Sequence, residues 1–257
     1  MIRPGLCSVT LRRLDVDEVA RRAALAGLTV LEWGADVHVR PGDERAADRA
    51  LDAMARHGLT CGSYGSYFRA TPAETGQFTR IAAGAVRLGA ARVRVWAGKA
   101  GSAAVAPDER RHVVTALREA ADIAAGHGLD VALEFHGGTL TDTAASTARL
   151  LDEVGRANLG TYWQPPQDLP DEQALAGLSR LLEHVRAVHV FSWWPGNERQ
   201  PLTARTALWA QVFALLAPLA RPVDALLEFV PGNDPETLTT EAQSLRQLLA
   251  AVLPASP

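Results

Sequence analysis

The chain of 257 residues is 47% hydrophobic and 21% charged, with 26 Lys and Arg against 29 Asp and Glu for a formal net charge of −3. That balance suits a globular protein with a large core and offers no concentrated positive charge for nucleic acid or an anionic membrane. Two cysteines, Cys7 and Cys61, without CxxC spacing, exclude a disulfide scaffold and fit a reduced, cytoplasmic setting.

In chain order, the N-terminal ten residues hold no long apolar run, which argues against a secretory leader. Short β-rich runs predict strands at residues 6–9, 29–33, 60–64, 92–97, 131–136, 160–164, 187–192 and 225–230. Between them, amphipathic Ala/Leu/Arg-rich stretches predict helices at 16–26, 43–57, 73–88, 107–127, 141–154, 171–185, 203–219 and 235–253. Asp15 followed by Glu18 reads as a helix start, Asp234-Pro235 as an N-cap with proline at the first helical position, and Gly27, Gly58, Gly89 and Gly128 as helix ends. Pro218 and Pro222 stop the seventh helix, whose uncharged run over 206–220 is shorter than the roughly 20 residues of a membrane span.

No composition shift or Pro/Gly/Ser-rich linker divides the chain, so residues 1–257 are expected to form one domain. Eight alternating strand–helix units in about 250 residues match a (β/α)8 TIM barrel, an α/β fold. An open doubly wound sheet normally carries a glycine-rich turn after its first strand. Here Val9-Thr10-Leu11-Arg12 stands there, and no GxGxxG or Walker sequence occurs.

Barrel enzymes work at the C-terminal ends of their strands, and the unusual residues of this chain gather there. Trp33, Trp96, Trp163, Trp193 and Trp194 lie at or just after predicted strand ends, with His38, His136, Tyr64 and Tyr67. Flat aromatic faces on one rim suit the C–H faces of a polyhydroxy small molecule. Each of four successive strands then carries one polar residue near its end: Glu134, Gln164, His189 and Glu228. Side chains two apart share a strand face, so these four are expected to converge on the barrel axis. Two carboxylates, an imidazole and an amide oxygen there suit a divalent cation, Mn, Mg, Co or Zn. Arg94 shares a face with Trp96 and serves either a substrate oxygen or an internal carboxylate such as Glu32; His38 either covers the site or faces water. Cys7 and Cys61 read as small buried residues.

At these positions the sequence resembles, over essentially its whole length, the xylose-isomerase-like TIM barrel superfamily, often labelled sugar phosphate isomerase/epimerase. The family pattern of Glu, Asp, His and Glu on strands five to eight is matched by Glu134, His189 and Glu228, and Glu134-Phe135-His136 looks like the fifth-strand ending. The sixth-strand Asp-x-x-His is replaced by Gln164-Pro165-Pro166-Gln167, so one ligand charge is lost and Gln167 stands where a substrate-contacting histidine is usual.

The resemblance implies an isomerase or epimerase of carbohydrate metabolism. It would act on a ketose-like or cyclic polyhydroxy ketone through an enediolate, with Glu134 and Glu228 as acid/base and Trp33, His38, Tyr64, Arg94, Trp96, His136, Gln167 and Trp193 around the substrate. Expulsion of a β-hydroxyl from an inosose- or dehydroshikimate-like substrate is the alternative. A sugar-binding barrel without full metal chemistry is a third. Barrels of this group often pair, which extends the expectation to a homodimer. Phosphate is disfavoured because Asp234 already occupies the start of the last helix.

Overall fold

The computed structural model describes residues 1–74 and 76–252. Eight parallel strands close into a barrel: β1 (Ile2–Cys7), β2 (Val30–Gly34), β3 (Thr60–Gly65), β4 (Arg92–Val95), β5 (Asp130–Leu133), β6 (Leu159–Trp163), β7 (Val185–Val190) and β8 (Val223–Leu227). Hydrogen bonding runs in the order β1-β8-β7-β6-β5-β4-β3-β2, and β1 closes the ring on β2. The helices outside are α1 (Val16–Leu25), α2 (Glu44–His57), α3 (Gln77–Arg87), α4 (Pro107–Ala125), α5 (Ala144–Val154), α6 (Asp171–Leu181), α7 (Thr206–Leu216) and α8 (Leu238–Val252). This is the (β/α)8 barrel that the alternation predicts. Among the described residues no helix is long and apolar enough to cross a membrane.

Strands covered on both faces read as nearly continuous apolar runs, and the two faces divide the core. Outward residues such as Leu31, Trp33, Tyr64, Val93, Leu133 and Trp163 join the main core with the inner faces of the helices. Small residues on α2 (Ala46, Ala47, Ala50 and Ala53) are all buried and let that helix sit close. Inward, a smaller cluster of Cys7, Val30, Ala132, Tyr162, Ala187 and Leu226 fills the barrel. Space is tight: a Cβ on Gly5 of β1 would lie 2.5 Å from the Val30 carbonyl oxygen.

Several predicted boundaries move. β1 starts at Ile2 rather than Leu6, because Arg3, Pro4 and Gly5 pair with Asp224, Ala225 and Leu226; Ser8–Leu11 is instead a 3-10 turn. β5, β7 and β8 begin one to two residues early and end two to three residues early against the predicted ranges. Glu134 and Glu228 therefore lie just past their strands. The helix predicted at 73–88 divides into a 3-10 turn (Pro72–Glu74) and α3, and the one at 235–253 into Pro235–Thr237 and α8; residue 253 lies outside the described residues. Asp15 caps α1 by accepting from the Glu18 N–H at 2.9 Å, and Gly58 ends α2 in the left-handed conformation at φ 66. After β7 the chain forms a short antiparallel hairpin, Ser192–Trp193 with Arg199–Gln200.

Inside the barrel the charged residues form two floors. The deeper one is Asp224 of β8, which accepts from Arg92 at 2.6 Å across the barrel and from Arg3 at 2.7 Å. Asp224 and Tyr162 are wholly buried and Arg92 nearly so. The upper floor faces the rim.

Candidate active site

The upper floor is built by alternation, which aims Glu32, Arg94, Glu134, His189 and Glu228 inward from five different strands or strand ends. All five are buried. The Nδ1 of His189 lies 2.8 Å from Gln164 Oε1 and 3.3 Å from Glu228 Oε2, so three of the four predicted metal ligands meet directly. Glu134 stands apart. It is ion-paired to Arg94, whose Nε donates to Glu32 Oε1 at 2.9 Å, and Glu32 Oε1 in turn lies 3.8 Å from His189 Nε2. Burial opposes the charge of Glu32, but Arg94, His189 and the Ser63 hydroxyl (2.5 Å) hold its carboxyl well below the ordinary range. Beneath them Cys7 points its thiol at Glu32 Oε1, 3.7 Å away. Burial and the charges of Glu32 and Glu228 push that thiol up, so Cys7 stays protonated and is no nucleophile.

Two observations show that this floor fits a divalent cation. Three carboxyl groups (Glu32, Glu134 and Glu228) face a single guanidinium, and such a buried excess is costly without a balancing cation. His189 Nε2 is also a buried nitrogen without a hydrogen-bond partner. If Nδ1 carried the proton toward Gln164, the Nε2 lone pair would face the Glu32 carboxylate. Were Nδ1 to hold a cation, Nε2 would carry the proton and aim it at Glu32, as a carboxylate behind a metal-bound imidazole commonly receives it. Cys7, His189 and Glu228 offer atoms all within 4.8 Å of one another, but a protonated thiol leaves the amide of Gln164 as the better third donor.

Above the floor opens a cavity of about 250 Å³. Arg94, Glu134, Gln164 and Glu228 form its base, with Trp96, His136, Trp193, Phe191 and Phe229 as walls and Tyr67 and Gln167 at the lip. Trp96 stacks on His136 at 4.3 Å and under Arg69 at 4.0 Å; Trp193 packs on Phe191 at 4.6 Å. The indole nitrogens of Trp96 and Trp193 are buried without a partner, leaving two N–H donors among the residues that line the cavity. His136 Nδ1 donates to the Gly137 carbonyl at 2.6 Å, which leaves its Nε2 as an acceptor.

Three predicted substrate contacts lie elsewhere. Trp33 faces outward and donates from Nε1 to Met54 Sδ at 3.3 Å, Tyr64 donates to the Val39 carbonyl at 2.6 Å, and His38 is held by Ser8 Oγ (2.9 Å) and the Leu14 carbonyl (3.0 Å). The cause is the strand period: Glu32 and Ser63 point inward, so Trp33 and Tyr64 must point toward the helices. Trp163 likewise packs on Trp209 in the outer layer, and Trp194 is exposed. Arg94 takes the ion-pair role, shared between two carboxylates, while also lining the cavity.

The model of the xylose isomerase-like TIM barrel matches residues 20–190. The chain belongs to that family. Among solved xylose isomerase-like barrels, the probable 3-DHS dehydratase AsbF of Bacillus anthracis superposes with a TM-score of 0.80 at 19% identity, over 96% of this chain and 99% of that one. The D-psicose 3-epimerase of Clostridium cellulolyticum H10 does so with a TM-score of 0.74 at 14% identity, over 98% and 100%. A family member from Mycobacterium smegmatis in complex with magnesium gives 0.72 at 14% identity, over 98% of each chain. At such identities the likeness is one of fold. A curated relative, the 3-dehydroshikimate dehydratase of Bacillus anthracis, is 43% identical over 68 residues, 26% of this chain. The match spans only about a quarter of that relative's length (24%).

Sequence reasoning undervalued Glu32, which joins Arg94 to His189. The signal was present, a lone charge inside Val30-Leu31-Glu32-Trp33, of the same kind that marked the later strands. Arg69, Arg199 and Phe229 were invisible because loops, not strand alternation, bring them to the rim.

Proposed function

We propose that the protein is a metal-dependent lyase that removes water from a cyclic hydroxy ketone of the 3-dehydroshikimate type. The observation that carries this reading is the inequality of the two candidate acid/base carboxylates. Epimerisation by two bases needs one group to take the proton and a second, on the other face of the substrate, to return it. Here Glu134 is committed to Arg94, whereas Glu228 forms no ion pair with a guanidinium among the described residues and leans on His189. A syn elimination needs only one such group. Glu228 takes the proton beside the carbonyl and then delivers it to the departing β-hydroxyl, so that one water leaves and a double bond remains.

His189, Gln164 and Glu228, with Glu134 across the cavity base, are the residues that would hold a divalent cation, which supplies Lewis-acid polarisation of a carbonyl oxygen. Around the reacting atoms His136 Nε2 accepts from a hydroxyl, and the aromatic walls exclude water. The 43% identity to a dehydratase over 68 residues supports the same choice over the isomerase reading.

The test is incubation of manganese-supplemented protein with 3-dehydroshikimate, followed by mass and ultraviolet absorbance. Loss of one water to an aromatic dihydroxybenzoate is expected, with Glu228→Gln reducing the rate by about 10²–10⁴-fold and Glu134→Gln by less. Solvent deuterium entering the substrate without loss of water would return the epimerase reading. Equal rates for wild type and Glu228→Gln would remove the glutamate from its role.

A further inference from the structure

Beside the catalytic cavity lies a second hollow of about 280 Å³, and Val9 and Phe229 form walls of both. Its remaining lining includes Arg12, Arg13, Arg199 and Asn233, with no acidic side chain among the described lining residues. Arg12 is neutralised by an ion pair with Asp36. Arg13 is exposed, and no ion pair to a carboxylate is formed by Arg13 or Arg199 among the described residues. Instead the Arg199 guanidinium lies over Phe229 at 4.6 Å and over Trp193 at 5.1 Å, and it donates to the Asn233 side-chain carbonyl.

This is an unusual setting for an arginine. Stacking on two rings that also wall the catalytic cavity fixes the plane of the guanidinium at the boundary between the hollows. One of its five donors is used on Asn233, and the half-buried charge is in no ion pair among the described residues, with the Glu228 carboxylate acting on it only through space. A preorganised fork with free N–H edges matches a pair of anionic oxygens. The catalytic floor a few residues away has the opposite balance, an excess of carboxyl groups. A ligand spanning both hollows meets acid groups at one end and, at the other, two arginines that form no ion pair among the described residues.

We propose that Arg199, assisted by Arg13, forms an anion subsite contiguous with the catalytic cavity, which takes a carboxylate or phosphate arm of the substrate and so selects anionic over neutral polyhydroxy compounds. Identifying the ligand as substrate rests on the lyase reading above; the subsite itself stands on the geometry. Asp234 follows Asn233 directly, and its charge disfavours a doubly charged phosphate more than a singly charged carboxylate.

The experiment titrates the full chain with shikimate, methyl shikimate and inorganic phosphate, read by tryptophan fluorescence. Shikimate lacks the ketone, so binding is measured without turnover. Wild type is expected to bind shikimate about tenfold or more tighter than the methyl ester, the scale of a charge-assisted hydrogen-bond pair. Arg199→Met abolishes that preference, Arg199→Lys keeps part of it, and Arg13→Gln reduces it a few-fold, while affinity for the ester moves by less than about twofold. Shikimate displaced by phosphate at comparable concentration assigns the arm to phosphate; weaker displacement assigns it to carboxylate.

Equal binding of acid and ester by wild type, no binding of shikimate, or a matching loss for acid and ester in Arg199→Met overturns the subsite. Acid preference without dehydration leaves the subsite standing and removes the lyase reading. Dehydration without acid preference does the reverse.

Discussion

Gln164 is where this chain departs from the ligand pattern it otherwise follows, and its effect can be measured directly. An amide oxygen donates to a cation without neutralising it. Gln164→Asp is therefore expected to tighten manganese binding by about tenfold or more in calorimetry; unchanged or weaker binding would show that Gln164 is not in the coordination sphere. Glu32 makes a second prediction. Its folded-state carboxyl titrates below the unfolded value of about 4.3. Its charge therefore stabilises the fold above that value, and the contribution is lost as pH falls through it toward the lower folded-state value. Glu32→Gln should cost less near neutrality than the about 3–5 kcal/mol of a buried pair broken outright, because Arg94 keeps Glu134 as its partner. It should also lose less stability than wild type between about pH 5 and pH 3 in urea titrations. Parallel acid limbs would place the stabilising charge elsewhere. At this scale the sequence was a good guide wherever one polar residue interrupted an apolar run, as at Glu134, His189 and Glu228. It misled at Trp33 and Tyr64, where residue type was weighed ahead of strand parity.

Helices and strands were legible in number, type and order, but less so at their ends. Strand ends in β5 and β8 were drawn through Glu134 and Glu228 because those residues are flanked by apolar neighbours; the strands end one residue earlier, yet the Glu134 N–H still donates to the Val95 carbonyl at 2.8 Å and the Glu228 N–H to the Val190 carbonyl at 3.2 Å, which keeps both side chains on the inward alternation. β1 starts ahead of its predicted residue Leu6, and a closed ring pairs Pro4 with Ala225 on one side while its carbonyl accepts from Thr29 on the other. Caps were read more securely, because a short oxygen-bearing side chain at a helix start answers to local geometry alone. Asp15 at α1 and Thr143 at α5, which accepts from the Ser146 N–H at 3.1 Å, should each cost about 1 kcal/mol when replaced by alanine. The two caps are on helices that are not neighbours, so the double variant should be additive to within about 0.5 kcal/mol in denaturant unfolding. A larger departure would mean that the two ends of the barrel unfold as separate units.

For the whole molecule, the cation proposed for the upper floor would couple folding to its binding. An ion bound only by the folded chain raises stability by about 2.7 kcal/mol at a free concentration of one hundred times its Kd. Melting in manganese is therefore expected at higher temperature than in chelator, with Gln164→Asp showing a larger shift and His189→Ala none. No shift for wild type at any concentration would remove the cation from the site. The lower floor has a different effect. Asp224, Arg92 and Tyr162 close the barrel beneath the upper floor, on the side away from the rim cavity. In the reaction proposed above, the product would therefore back out on the rim side, by which its precursor came in. A lingering product would then block the next arrival, and turnover at high conversion would become a matter of traffic as much as of bond-breaking.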